Sequence, residues 1–424
     1  MSQYLRFPLI GPALLVLCLL LSTGCSVSQA QGKRMAAASN VEYYQQPCLD
    51  APAFRLQGGP AEPQAEQGQQ QNITQGAQDP HENTAAAPAA EKTRRLSRTF
   101  AVPSGKPYAL DTRYGRVQVN VWSRNEIRTE VDIITRADTD EKAQQLQDMI
   151  QVQLLENDPA TGGVSVRSRF GVMPRECWSR TKLYEVNYTV WVPKNTPLHV
   201  FNTFGDVNIS GDLTGPTELA VEYGTLRTGR LDGNQNLLRV GNGQASVVYA
   251  RRASIDASYS RLRLDDGQTV DLRNNYSDID IGTVQDLTVH SKYGDVALGT
   301  VRNLRGTSGF SKFSIDKLSD RLDMTVQHCP NFEVRNTGRN FSLINLDGGY
   351  STILLNFADD AKFNFDVNTQ HGKLLVDKRL VRVASEESGP VSSDMQGTFG
   401  LAKPRQNGSN VNIKVRYGNV RFNR

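Results

Sequence analysis

The stretch from residue 259 to residue 315 repeats one short pattern four times: Tyr259-Ser-Arg-Leu-Arg-Leu, Tyr276-Ser-Asp-Ile-Asp-Ile, Tyr293-Gly-Asp-Val-Ala-Leu and Phe310-Ser-Lys-Phe-Ser-Ile. The four aromatic residues lie 17 positions apart, and a weaker copy at Asn242-Gly-Gln-Ala-Ser-Val keeps this spacing. Upstream copies begin at Phe204 and Tyr223, with steps of 19 residues. A fixed period with strand-like content is typical of repeat arrays, in which each unit buries its apolar face against the next.

The spacing within one repeat predicts strands joined by corners. Apolar residues follow each aromatic residue at +3 and +5, and again at +8, +11 and +13. Because successive side chains of a strand point to opposite faces, the inward positions of one strand share one parity. That parity changes between Val289 and Val296, so the chain must turn near Tyr293-Gly294. The Gly or Ser after the aromatic residue fits a corner with unusual backbone angles or little room for a side chain.

A second turn is predicted in polar clusters such as Asp265-Asp266-Gly267. Taken together, the pattern predicts an all-β protein. It is expected to be a parallel β-solenoid with coils of about 17–19 residues, preceded by a β-rich cap containing one α-helix.

The N-terminal residues predict export. Residues 1–24 carry Arg6 followed by a short apolar run that ends near Leu21, the pattern of a signal peptide. The run closes on Leu21-Ser-Thr-Gly-Cys25, which is similar to the bacterial lipobox, whose cysteine is lipidated and becomes the mature N-terminus. Cys25 is therefore the predicted lipidation site. Since Ser26 stands where an aspartate would resemble a retention signal, an outer-membrane lipoprotein facing the periplasm or the outside is favoured. Plain secretory cleavage nearby is the alternative.

Composition divides the rest of the chain. Residues 25–95 are rich in Gln, Ala, Gly and Pro, which predicts a lipidated N-terminus and a disordered tether, with order beginning near Arg95. Residues 96–200 alternate apolar and polar positions and form the predicted cap. Its single helix is expected from Thr139, as N-cap, to Val152. Residues 201–424 are the predicted repeats.

The layout resembles the bacterial putative-adhesin family of β-solenoid domains. The residues that carry the resemblance are the recurring aromatic-Gly/Ser-x-apolar-x-apolar copies, closing on Tyr417-Gly-Asn-Val-Arg-Phe. The resemblance covers about residues 96–424. It implies a fold and a location at the cell envelope more firmly than an activity, because the function of that family is poorly defined.

No catalytic, cofactor or metal site is predicted. The five histidines lie outside any Gly-x-Ser-x-Gly or His-Glu-x-x-His context, and no metal-ligand spacing is visible. These histidines are His81, His199, His290, His328 and His371.

Outward-facing charged positions leave an enzymatic alternative open. Motif position +2 places Arg261, Asp278, Asp295 and Lys312 on successive repeats, and position +4 adds Arg263 and Asp280. Parallel β-helix lyases and hydrolases use such rows to bind sugars and to supply paired carboxylates. Unlike charges on neighbouring strands also keep a sheet face soluble. The row mixes both signs instead of concentrating one, which favours a non-enzymatic binding or structural scaffold over a polysaccharide lyase or hydrolase.

The aromatic residues should stack along one edge. If exposed, the stack is a platform for sugar rings or for a partner's apolar surface; the alternative is a corner ladder that shields the core. The predicted binding surface consists of Tyr259, Tyr276, Tyr293, Arg261, Asp278 and Asp295. Its expected partner is a surface polysaccharide or an envelope protein. Nucleic acid is not an expected partner, because the net charge is only +4 and the basic residues are scattered.

The cysteines permit at most one intramolecular disulfide. Cys18 is predicted to leave with the signal peptide and Cys25 to carry lipid, which leaves Cys48, Cys177 and Cys329. Whether Cys177 pairs with Cys329 is open at this level.

Overall fold

The computed structural model describes residues 90–101, 105–177, 183–400 and 408–424. Across these residues the chain is predominantly β-structure with a single α-helix, which confirms the predicted all-β class. Cys25, Cys48 and the predicted signal peptide lie outside the described residues. Within the described ranges, no helix combines the length and apolar character needed to span a membrane.

The strands fall into three groups along the chain. The first group and the helix are β1 Ala90–Ala101, β2 Tyr108–Arg113, β3 Val117–Trp122, β4 Glu126–Ala137, α1 Asp140–Asp148, β5 Ile150–Leu155, β6 Val164–Phe170, β7 Tyr184–Pro193, β8 Leu198–Thr203 and β9 Val207–Ser210. The second group is β10 Thr217–Glu222, β11 Thr225–Leu231, β12 Asn236–Gly241, β13 Gln244–Ser258, β14 Arg261–Asn275, β15 Asp278–Lys292, β16 Val296–Gly309 and β17 Phe313–Gln327. The third is β18 Phe332–Thr337, β19 Leu343–Gly349, β20 Ile353–Phe357, β21 Phe363–Gln370, β22 Leu374–Leu375, β23 Val381–Ser388, β24 Ser392–Phe399, β25 Ser409–Arg416 and β26 Val420–Asn423.

Strands β13 to β17 pair in parallel, and each is aligned with the next by its repeat. Arg261 lies beside Asp278, and Val296 lies beside Phe313. The predicted inward residues Ile279, Val296 and Leu298 are all buried. Their side chains stack on those of the neighbouring repeats, so the core is shared between repeats rather than enclosed within one.

The second corner differs from the prediction. Strand β14 continues through Asp265-Asp266-Gly267 without a break. Instead of a turn, two adjacent residues, Asp265 and Asp266, both face solvent, and the inward parity shifts across them. The parallel register with β13 and β15 continues on both sides of this shift.

The sheet is mixed, because antiparallel pairs occur among the first and last strands. Strand β4 pairs antiparallel with β1 and β7, and β5 pairs antiparallel with β6. The first described strand begins at Ala90, earlier than the expected start of order near Arg95. It places Ala90 in a small apolar cluster with Ala143 and Leu146 of α1.

The helix begins as predicted and ends sooner. The Thr139 hydroxyl accepts the backbone N–H of Lys142, which caps the first turn. The prediction that the helix reaches Val152 is wrong, because α1 ends at Asp148 and Val152 belongs to β5. The alternation of Ile150 and Val152 serves strand pairing with β6, which provides the backbone hydrogen bonds that further helical turns would have supplied.

The last strands are not stacked in chain order. Strand β25 lies between β19 and β21 and pairs in parallel with both. Strand β26 likewise pairs with β20 and β22. The far side of β21 is covered by β24, which pairs antiparallel with it and with β23.

Cys177 and Cys329 are both free thiols and both buried, so they do not form a disulfide with each other. The Cys329 sulfur lies 3.6 Å from the carbonyl oxygen of Ser308, inside the repeats. Cys177 lies instead beside α1, with its sulfur 3.7 Å from the Gln145 side-chain oxygen. Burial raises the pKa of the Cys177 thiol.

Candidate functional site

The first motif position adopts a left-handed backbone conformation in every repeat. Among the described residues, twelve such corner residues have φ between 50° and 60°: Tyr114, Phe204, Tyr223, Asn242, Tyr259, Tyr276, Tyr293, Phe310, His328, Tyr350, His371 and Tyr417. This region is uncommon for residues other than Gly, and for bulky side chains it is a true outlier. The expected unusual backbone angle therefore belongs mainly to the aromatic residue and not to the Gly or Ser that follows it.

The second motif position is instead limited by space. A Cβ atom added to Gly205 or Gly224 would lie 1.8 or 2.0 Å from a carbonyl oxygen of the neighbouring repeat. Where Ser occupies the position, its hydroxyl joins the hydrogen bonds between repeats: the N–H of Ser260 donates to the Ser277 hydroxyl at 3.0 Å. Gly therefore fits the position by leaving space, and Ser fits it by adding a hydrogen bond between repeats.

The corner side chains form a stack, which we call the aromatic column. Neighbouring ring centroids lie 4.4–5.3 Å apart, and the ring planes are within 24° of parallel. One run is Tyr114, Phe204 and Tyr223; the other is Tyr259, Tyr276, Tyr293, Phe310, His328, Tyr350, Tyr417 and His371. The predicted stacking of the tyrosines is thus present in the structure.

Most of the column is exposed, while Tyr114 and Tyr293 are partly buried. Tyr276, which has rings on both sides, remains 46% exposed, and Tyr259 is 60% exposed. Desolvation between neighbouring rings raises the pKa of the Tyr276 phenol, and the adjacent phenols of Tyr293 and Tyr259 raise it further. Because the rings stack face to face, an inner ring presents only its edge and hydroxyl group to solvent.

The column is interrupted once, at Asn242. The backbone N–H of Tyr223 donates to the Gly241 carbonyl, and the N–H of Asn242 donates to the Ser258 carbonyl, so Asn242 occupies its own repeat between Tyr223 and Tyr259. Asn tolerates the left-handed conformation better than an aromatic residue. Because Asn242 has no ring, one face of Tyr223 and one face of Tyr259 have no stacked ring beside them.

Three members of the column were missed at the sequence level. Tyr350-Ser-Thr-Ile-Leu-Leu and His371-Gly-Lys-Leu-Leu-Val both fit the motif, and His328 occupies the same corner. The signal was obscured because the steps from 310 to 328, 350 and 371 are irregular and because His replaces the aromatic hydrocarbon ring twice.

The predicted charged row lies on the exposed face, and four of its members form ion pairs: Arg261, Arg263, Asp278 and Asp280. Arg261 lies 3.8 Å from Asp278, and Arg263 lies 3.6 Å from Asp280 and 2.9 Å from Asp265. The hydrogen bond to Asp265 raises the pKa of Arg263. The backbone N–H of Asp295 approaches the Asp278 carboxylate at 3.4 Å. Asp278 and Asp280 thus lie beside arginines in open solvent, and Asp278 also accepts from a backbone N–H.

A concave surface is present near the first strands. It is a cleft of about 660 Å³ with Asp111, Arg169, His199 and Phe201 in its lining. The His199 Nδ1 lies 3.2 Å from Glu218. Within the described ranges, no cluster of His, Cys, Asp and Glu has the geometry of a metal site.

Comparison with known proteins gives only distant structural likeness. No family model matches the chain, and no curated protein matches its sequence. A solved structure of a putative adhesin from Bacteroides fragilis is 12% identical and has a TM-score of 0.31, over 62% of this chain and 97% of that one. A putative cell adhesion protein from Clostridium sporogenes is 8% identical with a TM-score of 0.21, over 78% of this chain and 99% of that one. Likeness at this level does not assign a function.

Proposed function

We propose that this chain is a lipid-anchored β-solenoid of the bacterial cell envelope that acts as a non-enzymatic, adhesin-like binding scaffold. Its coils are the repeats of about 17–19 residues, and its anchor is the acylated Cys25 of an outer-membrane lipoprotein. Its expected partner is a surface polysaccharide or an envelope protein. The observation that carries the proposal is the aromatic column, an exposed line of stacked rings held at strained corner residues.

The energetic argument starts from the cost of the corners. A bulky residue in the left-handed region costs on the order of 1–3 kcal/mol. A stacked aromatic pair contributes about 0.5–1.5 kcal/mol. Stacking therefore offsets the strain only in part, whereas Gly or Asn would avoid it. The presence of Tyr259, Tyr276 and Tyr293 at strained, solvent-accessible corners supports a role in contact with a partner.

The non-enzymatic part of the proposal rests on the charged row. General acid and base catalysis by carboxylates uses pairs held in distinct environments, one of them shielded from solvent. Asp278 and Asp280 have about 60% of their side-chain surface exposed, and each lies near an arginine. This arrangement suits a soluble sheet face.

The test combines binding and turnover. Purified protein is incubated with a panel of envelope and matrix polysaccharides, and retention, new reducing ends and unsaturated uronates are measured. We expect retention on at least one polymer without turnover. Replacing Tyr259, Tyr276 and Tyr293 together by Asn, which tolerates the corner geometry, should weaken retention at least about tenfold, or ~1.4 kcal/mol.

Two controls separate the outcomes. Circular dichroism of the triple variant shows whether the repeats stay folded, and Asp271→Asn, on an exposed strand position of the same repeats, should leave retention unchanged. Turnover that disappears on changing Asp278, Asp280 and Asp295 to Asn, in a folded protein, would establish the enzyme alternative instead.

A further inference from the structure

We infer that the interruption of the aromatic column at Asn242 is a saccharide-binding slot, in which one uncharged pyranose ring is held between Tyr223 and Tyr259. This inference rests on the proposed binding function and assigns it to one position. Elsewhere along the second run, both faces of an inner ring are covered by its neighbours. A sugar recognised through its apolar C–H face needs an open ring face, and the slot offers two that oppose each other.

The width of the slot follows from the repeat spacing. The Tyr223 and Tyr259 rings lie two repeats apart, which at about 4.8 Å per strand is about 9.6 Å. Carbon atoms make contact at about 3.5–4.0 Å. A planar ring in contact with both tyrosine rings needs the two rings to lie about 7–8 Å apart. A puckered ring with axial hydrogens is thicker and needs a larger distance between them. The slot therefore matches a pyranose better than a planar heterocycle.

The floor of the slot is polar and uncrowded. Asn242 has a side chain two bonds long beyond Cβ, too short to fill the space between two tyrosine rings. Its amide makes no hydrogen bond with the residues that the structure describes, so a donor and an acceptor are available to ring hydroxyls. The preceding residue, Gly241, adds no side chain to the same repeat.

The charge at the mouth selects the class of sugar. Glu222 is exposed, immediately precedes Tyr223, and forms no ion pair with any described residue. Arg261, two residues after Tyr259, has its charge paired with Asp278. A carboxylate without a counter-charge repels a uronate and accepts hydrogen bonds from neutral hydroxyls or an acetamido N–H. The favoured ligand is thus an uncharged hexose or N-acetylhexosamine unit.

The experiment measures binding of three soluble probes to the full chain by calorimetry: the β-1,4-linked hexamers of glucose and of N-acetylglucosamine, and an oligogalacturonate. We expect the wild-type chain to bind a neutral hexamer with one site per chain, and the uronate at least about tenfold more weakly. Asn242→Tyr should close the slot and weaken neutral binding at least about tenfold. Its two new ring contacts, to Tyr223 and Tyr259, should about offset the added corner strain, so the melting temperature should change little.

A second variant keeps the test decisive if Asn242→Tyr fails to fold. Tyr276→Asn opens a second interruption between Tyr259 and Tyr293, and it should raise the number of neutral-sugar sites from one per chain to two. Wild-type binding that is unaffected by Asn242→Tyr and unchanged in stoichiometry by Tyr276→Asn would overturn the slot alone. Preferred binding of the uronate would also overturn it. Absence of binding by the wild-type chain to every probe here, together with no retention on the polysaccharide panel, would overturn the binding function as well.

Discussion

At the scale of single residues, the corner is built from two different restrictions. The first position accepts strain in exchange for stacking, and the second has no room for a side chain or uses a serine hydroxyl as a hydrogen-bond partner. Gly241 and Gly243 lie two residues apart on one repeat, and only Gly243 occupies the second motif position. Comparing them therefore measures the cost of a side chain at that position alone. A Cβ on Gly243 would lie 2.1 Å from the Gly224 carbonyl oxygen, whereas one on Gly241 would meet its nearest atom, the Glu222 Cγ, at 3.5 Å.

The first prediction compares these two glycines. Gly243→Ala should destabilise the protein by about 2 kcal/mol or more, because backbone atoms of two repeats must move apart. Gly241→Ala should be neutral or stabilising by about 0.5–1 kcal/mol, since Gly within a strand is entropically costly. Urea unfolding of both variants measures the difference. Equal effects would mean that the approach between repeats is looser than the structure indicates.

The second prediction tests the inward and outward faces at adjacent residues. Val296 is 1% exposed and packs between repeats, so Val296→Asp should bury a carboxylate without a partner and cost several kcal/mol. Asp295 is exposed, so Asp295→Ser should stay within about 0.5 kcal/mol. Thermal unfolding of the Val296→Asp and Asp295→Ser variants measures the two losses of stability. A matching loss in both variants would contradict the assigned faces.

At the scale of elements, the unusual feature is the insertion of the last two strands among earlier ones. Strand β25 has parallel partners on both sides, so the C-terminus occupies an interior position of the sheet. In a repeat array, the loss of an interior unit removes two interfaces, whereas the loss of an end unit removes one.

The third prediction follows from that position. A chain that ends at Gly400 lacks β25 and β26, and should lose protection against amide exchange in β19 and β21, which both hydrogen-bond to β25. Val383→Ser, on the exposed strand β23, serves as the control and should leave amide protection in β19 and β21 unchanged. Full protection of β21 in the shortened chain would show that its pairing with β24 is sufficient.

The sequence was informative where a local pattern maps onto one structure. The alternation around Ile279 and Val296 predicted the core, and Thr139 predicted the start of the helix. The order of Tyr350, Tyr417 and His371 in the column could not be predicted from the sequence. Every repeat carries the same motif, so the motif does not specify which repeats are neighbours in the sheet. The left-handed aromatic corners were also missed, since stacking between repeats, and not local preference, stabilises them.

At the scale of the whole molecule, the proposed binding by the repeats requires that the chain be held at the membrane near its ligand. A binding scaffold gains effective concentration when it is confined to a membrane near its ligand. The proposed means is the acylated Cys25, which belongs to the N-terminal residues outside those described. Each buried methylene of an acyl chain contributes about 0.8 kcal/mol to membrane binding, and two chains are required for stable anchoring.

The fourth prediction tests this anchor in a bacterial host. Cys25→Ala removes the thiol that would carry the lipid, so the protein should leave the membrane fraction or accumulate with its signal peptide attached. Cys18→Ala, within the apolar run of the predicted signal peptide, is the matched control and should still be anchored. Detergent phase partitioning and gel mobility distinguish the states. If Cys25→Ala is cleaved and partitions as the wild-type chain does, lipidation at this cysteine is wrong. If, in that case, the wild-type chain and the variant both partition into water, plain secretory cleavage is the better account.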